Sequence, residues 1–448
     1  MHVLFLEVQT ESTWSVASIG PAFLAAYLRK NGHTVSIFTV EMKHTIDDVV
    51  AAVCQHAPGL IGLSLTTRQW LRARGIVAGL RAQLDVPVIA GGLHPTFAPE
   101  KVLASPGFDL VCLGEGEGAL LELVEHIAVE GQLPKHDLLN IQRAGQPRPI
   151  LRPPLDPLDD LPFIARDMLN ERYGVRHMIT QRGCPFPCTY CAARMYNEMY
   201  NDYGRRRSNA GVSAELDALR GGSAGDDLGL TYIIFLDDTF TINHKWVREF
   251  CTVHKDNGAT PFSLHARVET VNQRMLHELA EAGCKHITYG VESGSERIRR
   301  EVMLRKVGNQ RLIDVFRWTR EAGIITTANY MLGVPHETRE DLEMTLALHH
   351  ELQPHDFGYF VFYPYPGTPL FKTCLDLGIL PEGYENLPAN HRQSILNLPD
   401  LTNEDIGEFY DRFTAIREAS YLERYGGSLS EAGEQTVRDT YQHTAATG

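Results

Sequence analysis

Short apolar runs alternate with helical patterns twice along this chain, and that alternation limits its fold more than any other feature. Over residues 1–130 the candidate strands are 2–8, 34–40, 60–65, 86–92 and 108–114. Helical patterns fill the gaps at 18–31, 46–56, 69–84 and 116–130. A run such as "HVLFLEV" is apolar almost throughout, so both faces of its strand are expected to be covered. Buried strands separated by helices predict a parallel sheet with helices on both sides. Five strands in this length predict a doubly wound, flavodoxin-like domain, a fold that binds ligands at the carboxyl ends of its strands.

The stretch "GQPRPILRPPLDPLDDLPFIA" (145–165) breaks the pattern. Proline removes a backbone donor and disfavours helix in the residue before it, so this segment reads as an extended linker. From about residue 174 the alternation resumes, with candidate strands at 176–181, 232–238, 262–267, 286–292, 325–333 and 357–363. Six such units predict an incomplete (βα)6 barrel whose reactive groups lie on loops after the strands. The remaining tail is short. A helix is expected over 402–425, behind a Thr cap, and the last fifteen or so residues are polar enough to be disordered. The expected organisation is α/β: domain 1–135, linker 136–172, barrel 173–375 and a small helical region 376–448.

Length alone asks for two or three domains. The balance of 42 Lys+Arg against 56 Asp+Glu, a formal charge of −14, speaks against nonspecific binding to nucleic-acid backbones. No stretch reaches the ~18 apolar residues of a membrane span, and the start lacks a basic, then apolar leader. A cytoplasmic protein is expected.

Three of the eight cysteines fall in "QRGCPFPCTYCAARM" (181–195): Cys184, Cys188 and Cys191, spaced C-x3-C-x2-C. The others, Cys54, Cys112, Cys251, Cys284 and Cys374, are scattered and read as small buried apolar residues. Thiolates suit zinc or iron–sulfur centres. A structural zinc takes four ligands, and so, ordinarily, does a [4Fe–4S] cube. Three cysteines leave one iron open; the alternative is a zinc ion completed by a distant histidine.

The cysteine spacing, with Tyr190 before the third cysteine, resembles the radical S-adenosylmethionine (SAM) superfamily. The resemblance implies that the open iron chelates the amino and carboxylate groups of SAM, whose reductive cleavage releases a 5′-deoxyadenosyl radical. It extends over further motifs. "FLDDTF" (235–240) is similar to the second-strand motif, which implies that Asp238 meets the methionine amino group. "YGVESGSERI" (289–298) is similar to the fourth, with Glu292 at the ribose and Ser293 at the methionine end. "MLGVPHET" (331–338) is similar to the fifth-strand turn near the adenine, which brings in Gly333 and Pro335, and "YPYPGTPL" (363–370) resembles the end of the sixth. Arg267 and Arg305–Lys306 are expected at the SAM carboxylate.

In the first domain, small residues gather on three adjacent strand ends: Ser64 and Thr66, then Gly91 and Gly92 in "GGLHPTFAPE", then Gly114, Glu115 and Gly116 in "GEGEGAL". Glycines let a broad flat ligand approach the backbone. There is no G-x-G-x-x-G turn after the first strand and no Walker loop, which argues against a dinucleotide or ATP. With the proline linker and the barrel behind it, this domain resembles the cobalamin-binding (B12-binding) class of the superfamily, over about residues 1–375. The D-x-H-x-x-G sequence that supplies a cobalt ligand in some cobalamin enzymes is absent. His94 is the one histidine in a cofactor loop, and Arg68, Gln69 or Trp70 are the residues expected to cover the lower cobalt face.

The resemblance implies a [4Fe–4S] cluster, SAM and cobalamin as cofactors and an external electron donor of the flavodoxin or ferredoxin type. The implied activity is methyl transfer to an unactivated carbon of a small molecule or natural-product intermediate. Its products would be S-adenosylhomocysteine, 5′-deoxyadenosine and methionine. The alternative is a cyclase or ring-rearranging enzyme that keeps the cofactors and transfers no methyl group. No side chain is singled out as a general acid or base.

Overall fold

The computed structural model describes residues 1–11, 18–201, 203–221 and 229–425, so the polar terminus expected to be disordered lies outside the described residues. The chain divides after Asn170 into two units. The first runs β1 (His2–Val8), α1 (Ile19–Lys30), β2 (Thr34–Val40), α2 (Ile46–His56), β3 (Leu60–Ser64), α3 (Thr67–Arg81) and β4 (Val88–Gly91). It continues with α4 (Leu93–Phe97), α5 (Pro99–Leu103), β5 (Leu110–Cys112), α6 (Glu117–Glu130) and β6 (Ile141–Gln142). The sheet order is β2-β1-β3-β4-β5-β6. The first five strands are parallel, and β1 is buried along nearly its whole length, as its unbroken apolar run requires. The winding reverses between β1 and β3, the switch point at which this fold opens a ligand crevice.

Two features of this unit differ from expectation. "GGLHPTFAPE" forms two short helices rather than an open loop. A sixth strand, two residues long, adds antiparallel to β5. Asn140 fixes it, donating to Leu113 O (2.7 Å) and accepting from Arg152 N (2.7 Å). A two-residue strand is too short to carry a period, so no pattern could announce it. The proline-rich segment also stays with this unit: Ala165 N donates to Ala22 O, and Arg29 forms a fork with Asp167.

The second unit holds β7 (Val175–Met178), the small ribbon β8 (Gln181–Arg182) and β9 (Arg205–Arg206), then β10 (Tyr232–Phe235), β11 (Phe262–Ala266), β12 (Cys284–Glu292), β13 (Ile325–Leu332) and β14 (Asp356–Val361). Its helices are α7 (Ala192–Tyr200), α8 (Asn209–Arg220), α9 (His244–Asp256), α10 (Gln273–Glu281), α11 (Asn309–Glu321), α12 (Arg339–Leu352), α13 (Pro369–Asp376) and α14 (Asn403–Tyr425). Six parallel strands lie in the order β14-β13-β12-β11-β10-β7. Among the described residues β7 and β14 do not pair, so the barrel is open.

Buried and less buried residues alternate along β12 and β13, one face toward the helices and one toward the barrel interior. On the helix side Phe235, Phe250 and Phe262 meet edge to face behind β10 and β11. Tyr330, Phe357 and Tyr359 pack on Phe413 of α14. The expected terminal helix is therefore a wall of the second unit's core, with Phe409 and Phe413 fully buried.

Candidate active site

The three-cysteine loop leaves β7 and is clamped before its first cysteine. Thr180 N and Gln181 N donate to Asp237 Oδ1 (2.7 and 2.8 Å), and Thr180 Oγ1 donates to Oδ2 (2.8 Å). Asp237 is sealed from solvent. Burial pushes its carboxyl up to about 7, against the pull of the Gln181 and Thr180 bonds. Gly183 then turns the chain at φ 92°, where a Cβ would lie 2.9 Å from Tyr203 O, so only glycine fits. Further on, Asn197 Nδ2 donates to Cys184 O (2.5 Å), Thr189 Oγ1 to Val302 O (2.6 Å), and Leu370 N to Thr189 O (3.0 Å). Cys191 stands at the N-cap position of α7, with no side-chain bond to the helix.

All three cysteines line one cavity of about 230 Å³ at the carboxyl ends of the barrel strands. Burial pushes the Cys191 thiol up to about 12 and raises Cys184. Metal binding would have to displace those protons. Among the described residues no three His, Cys, Asp or Glu side chains, the three cysteines included, are gathered for a single metal ion. Three soft thiols set around a wider cavity fit a polynuclear centre instead.

Each strand adds a polar group to that cavity. Asp238 follows β10. It is accessible from the cavity yet surrounded by protein, and burial raises its carboxyl. Arg267 follows β11, and Glu292 ends β12. The β12–β13 register slips between Gly290 and Glu292, and Glu292 adopts φ 71°. A bulge and a left-handed residue re-aim a side chain, here a carboxylate toward the cysteines. A Cβ on Gly290 would lie 2.3 Å from Glu292 Oε1, so glycine makes room for that carboxylate.

The charged groups form one chain. Arg267 Nη1 donates to Cys188 Sγ (2.9 Å), and its Nη2 donates to Glu269 Oε1 (2.6 Å). Glu269 Oε2 lies 3.5 Å from Arg305 Nη2, and Arg305 Nη1 donates to Glu292 Oε1 (3.0 Å). Tyr190 Oη donates to the same oxygen (3.0 Å) and so returns the chain to the cysteine loop. Burial opposes the Arg305 charge; Tyr190, Glu292 and Glu269 outweigh it and raise its pKa. Arg305 Nε and Nη2 are buried at the cavity wall without a hydrogen-bond partner. Such donors suit an anion.

Of the residues expected from sequence, the cavity brings together the three cysteines, Asp238, Arg267, Glu292 and Arg305. It does not bring in four others. Ser293 is fully buried and pairs with Thr345 Oγ1 at 3.4 Å, because the bulge turns Glu292 rather than its neighbour toward the thiols. Gly333 gives its N–H to Glu337 Oε2 (2.6 Å) and packs against Ile406; Pro335 is buried in the same turn, and Lys306 points to solvent. Sequence reasoning missed Asp237, Glu269, His265, Thr288 and Asn329. The last three line the cavity from β11, β12 and β13, with Thr288 in register opposite His265. Polar residues at alternate positions of strands meant for burial were the available signal.

In the first unit the residues expected at a ligand do share the strand ends. Leu65 N donates to Gly91 O (2.8 Å) and His94 N to Leu65 O (3.0 Å). Gly92, at φ 91°, needs glycine, since a Cβ would lie 2.7 Å from Leu65 N. A Cβ on Gly91 would meet Cys112 of β5 at an ordinary contact distance of 3.7 Å. Thr66 donates to Gln69 at the start of α3 (2.9 Å), Gly114 N donates to Thr96 Oγ1 (3.1 Å), and Glu115 accepts from Leu155 N (3.1 Å). Ser64 and Gly116 stay partly accessible at those strand ends. His94 is buried. It is stacked on Trp70 (4.8 Å), its Nδ1 lies 3.2 Å from Thr67 Oγ1, and its Nε2 is sealed off. Gln69 and Trp70 are buried as well, whereas Arg68 is exposed and paired with Glu11.

The Radical SAM superfamily model matches residues 178–349, and the B12 binding domain model matches residues 10–124, together more than half of the chain. The chain belongs to the B12-binding radical SAM family. As such it is a cobalamin-dependent enzyme whose cofactors are a [4Fe–4S] cluster, SAM and cobalamin. An uncharacterized methyltransferase of Pyrococcus horikoshii is 28% identical over 91% of this chain and 90% of its own. An anaerobic magnesium-protoporphyrin IX monomethyl ester cyclase of Rubrivivax gelatinosus is 26% identical over 92% of this chain and 76% of its own. Among solved structures, the radical SAM methyltransferase TsrM of Kitasatospora setae, with cobalamin and a [4Fe–4S] cluster bound, superposes with a TM-score of 0.66 at 16% identity, covering 84% of this chain and 75% of that one. OxsB with aqua-cobalamin and SAM bound gives 0.70 at 16% identity, over 94% and 72%. At these identities the structures speak for the radical SAM and B12-binding folds alone. No helix among the described residues is long and apolar enough to cross a membrane.

Proposed function

We propose that this B12-binding radical SAM enzyme is a methyltransferase acting on an unactivated carbon of a small molecule or natural-product intermediate. When bound, the cluster and SAM supply a hydrogen-abstracting radical, and cobalamin supplies a methyl group. Cys184, Cys188 and Cys191 hold the cluster. Asp238, with its carboxylate free in the cavity, takes the methionine amino group, and Glu292, aimed by its bulge, takes the ribose. Arg305, whose Nε and Nη2 make no hydrogen bond, receives the methionine carboxylate. In the first unit, the strand ends at Ser64, Gly91, Gly92, Gly114 and Gly116 carry the corrinoid. A flavodoxin- or ferredoxin-type donor supplies electrons.

One observation carries the cluster assignment: three thiols, two of them buried and the third half-buried, share a cavity with an unpaired carboxylate and a buried guanidinium. The methyltransferase-named relative, matched along nine-tenths of both chains, supports methyl transfer. The cyclase relative of comparable coverage favours a second reading, the same cofactors without methyl transfer. Product counting separates them. Anaerobically reconstituted protein with a reductant is expected to form 5′-deoxyadenosine, and Cys188→Ala to lose that product by at least about a hundredfold. S-adenosylhomocysteine formed alongside supports the methyltransferase; 5′-deoxyadenosine without it favours the cyclase. No 5′-deoxyadenosine from the wild type rejects both.

A further inference from the structure

Arg267 is placed differently from an arginine waiting for a ligand. Its Nη1 already donates to Cys188 Sγ at 2.9 Å and its Nη2 to Glu269 Oε1 at 2.6 Å, which leaves only Nε without a partner. Its guanidinium lies over the ring of Phe186, 4.0 Å from the centroid, and Phe186 sits in the loop between Cys184 and Cys188. The side chain is about nine-tenths buried. An aromatic face, a carboxylate and a sulfur therefore fix one guanidinium on three sides. Arg305, whose Nε has no partner and whose Nη2 has only the 3.5 Å ion pair with Glu269, is the better placed of the two to meet an anion.

We propose that Arg267 is a positioning residue of the iron–sulfur centre: it holds the Cys188 sulfur through a charge-assisted hydrogen bond and raises the cluster's reduction potential. Reduction adds one electron from the external donor to a centre that already carries negative charge, and no bond forms or breaks at Arg267. A cation and an N–H···S bond stabilise the reduced form more than the oxidised one. Lysine could keep the charge but could not make the fork to both sulfur and carboxylate. Glu269 keeps the guanidinium oriented, and Arg305 balances Glu269 from its other side.

The test is a dithionite titration of anaerobically reconstituted wild type, R267Q and R267K, followed by the EPR signal of the reduced cluster, with iron counted per chain. At the potential that half-reduces the wild type, R267Q is expected to show a reduced-to-oxidised ratio lower by roughly tenfold, about 59 mV for one electron. R267K is expected to recover part of that ratio. An unchanged ratio in fully iron-loaded R267Q overturns the proposal. So does an equal fall in R267Q and R267K, which a merely structural loss would give. If R267Q takes up no iron, R267K and Phe186→Leu carry the test: a smaller fall is expected in each, and no fall in either overturns it. The inference rests on the cysteine assignment proposed above. A wild type that binds no cluster sinks that assignment, whereas a loaded cluster with unmoved potential sinks only the role of Arg267.

Discussion

Glu292 gives up backbone comfort to place a carboxylate. A left-handed conformation costs a non-glycine residue roughly 1–2 kcal/mol, and here it turns Oε1 onto Arg305 and Tyr190. Arg305 is 1% exposed, so its charge has no recourse to water if that partner is lost. Breaking such a buried pair from one side costs about 3 kcal/mol, more than the pair adds when intact. E292Q is therefore expected to lower the urea-unfolding free energy of the metal-free protein by about that amount, and R305M/E292Q to recover more than half of it. A double variant as unstable as the sum of its two single variants would show that the two residues act separately. His94 makes a second case at this scale. With Nε2 sealed beside Trp70, it is out of reach of a ligand above the strand ends, and burial lowers its pKa to about 4. H94Q is expected to leave the EPR spectrum of bound cob(II)alamin unchanged; a changed axial nitrogen pattern would place the histidine on cobalt.

The turn between β13 and α12 shows how an element is tied to the barrel's working end. Thr338 and Asp341 form a reciprocal cap at the start of α12, with Asp341 Oδ2 accepting from Thr338 N at 3.0 Å. Glu337 folds back into the turn and accepts N–H from Gly333 (2.6 Å) and Val334 (3.2 Å). Burial pushes its carboxyl up to about 8, against those two bonds. The folded state thus holds a proton on Glu337 that the unfolded chain releases above its ordinary value of 4.5. Between those two values the folded state binds more protons, so its stability falls as pH rises. The slope from one such group approaches about 1 kcal/mol per pH unit. Urea midpoints measured from pH 5 to 8 are expected to decline in the wild type and to decline less in E337Q, which keeps the acceptor and cannot ionise. Parallel declines would remove Glu337 as the cause.

At the scale of the molecule, each unit closes its own core. Leu4, Ile61, Trp70 and Val111 belong to one, and Phe235, Leu264, Tyr289 and Phe413 to another. Separate cores depart from two-state unfolding, and a ligand stabilises the unit that binds it. Calorimetry of the metal-free protein is expected to resolve two transitions. Cobalamin at about a hundred times its dissociation constant should stabilise only one of them, by about 2.7 kcal/mol. Both transitions moving together with cobalamin would mean that the units unfold as one.

The alternation of strands and helices, the burial of β1 and the three-cysteine spacing were fixed by local chemistry. Apolar runs of strand length, helix caps and close-set thiols each depend on residues within a few positions of one another. Cys184, Cys188, Cys191, Asp238 and Glu292 could be named for the same reason, since each sits at a strand end that its own segment announces. Tertiary structure decided the rest. Glu292 faces the thiols and Ser293 does not because of a bulge set by pairing with β13. Asp237 clamps a loop 56 residues away, and Arg267 meets a sulfur 79 residues away, through contacts that only the closing barrel brings together. Burial, which sets what those charges can do, belongs to the packed whole and is written in no short stretch of the chain.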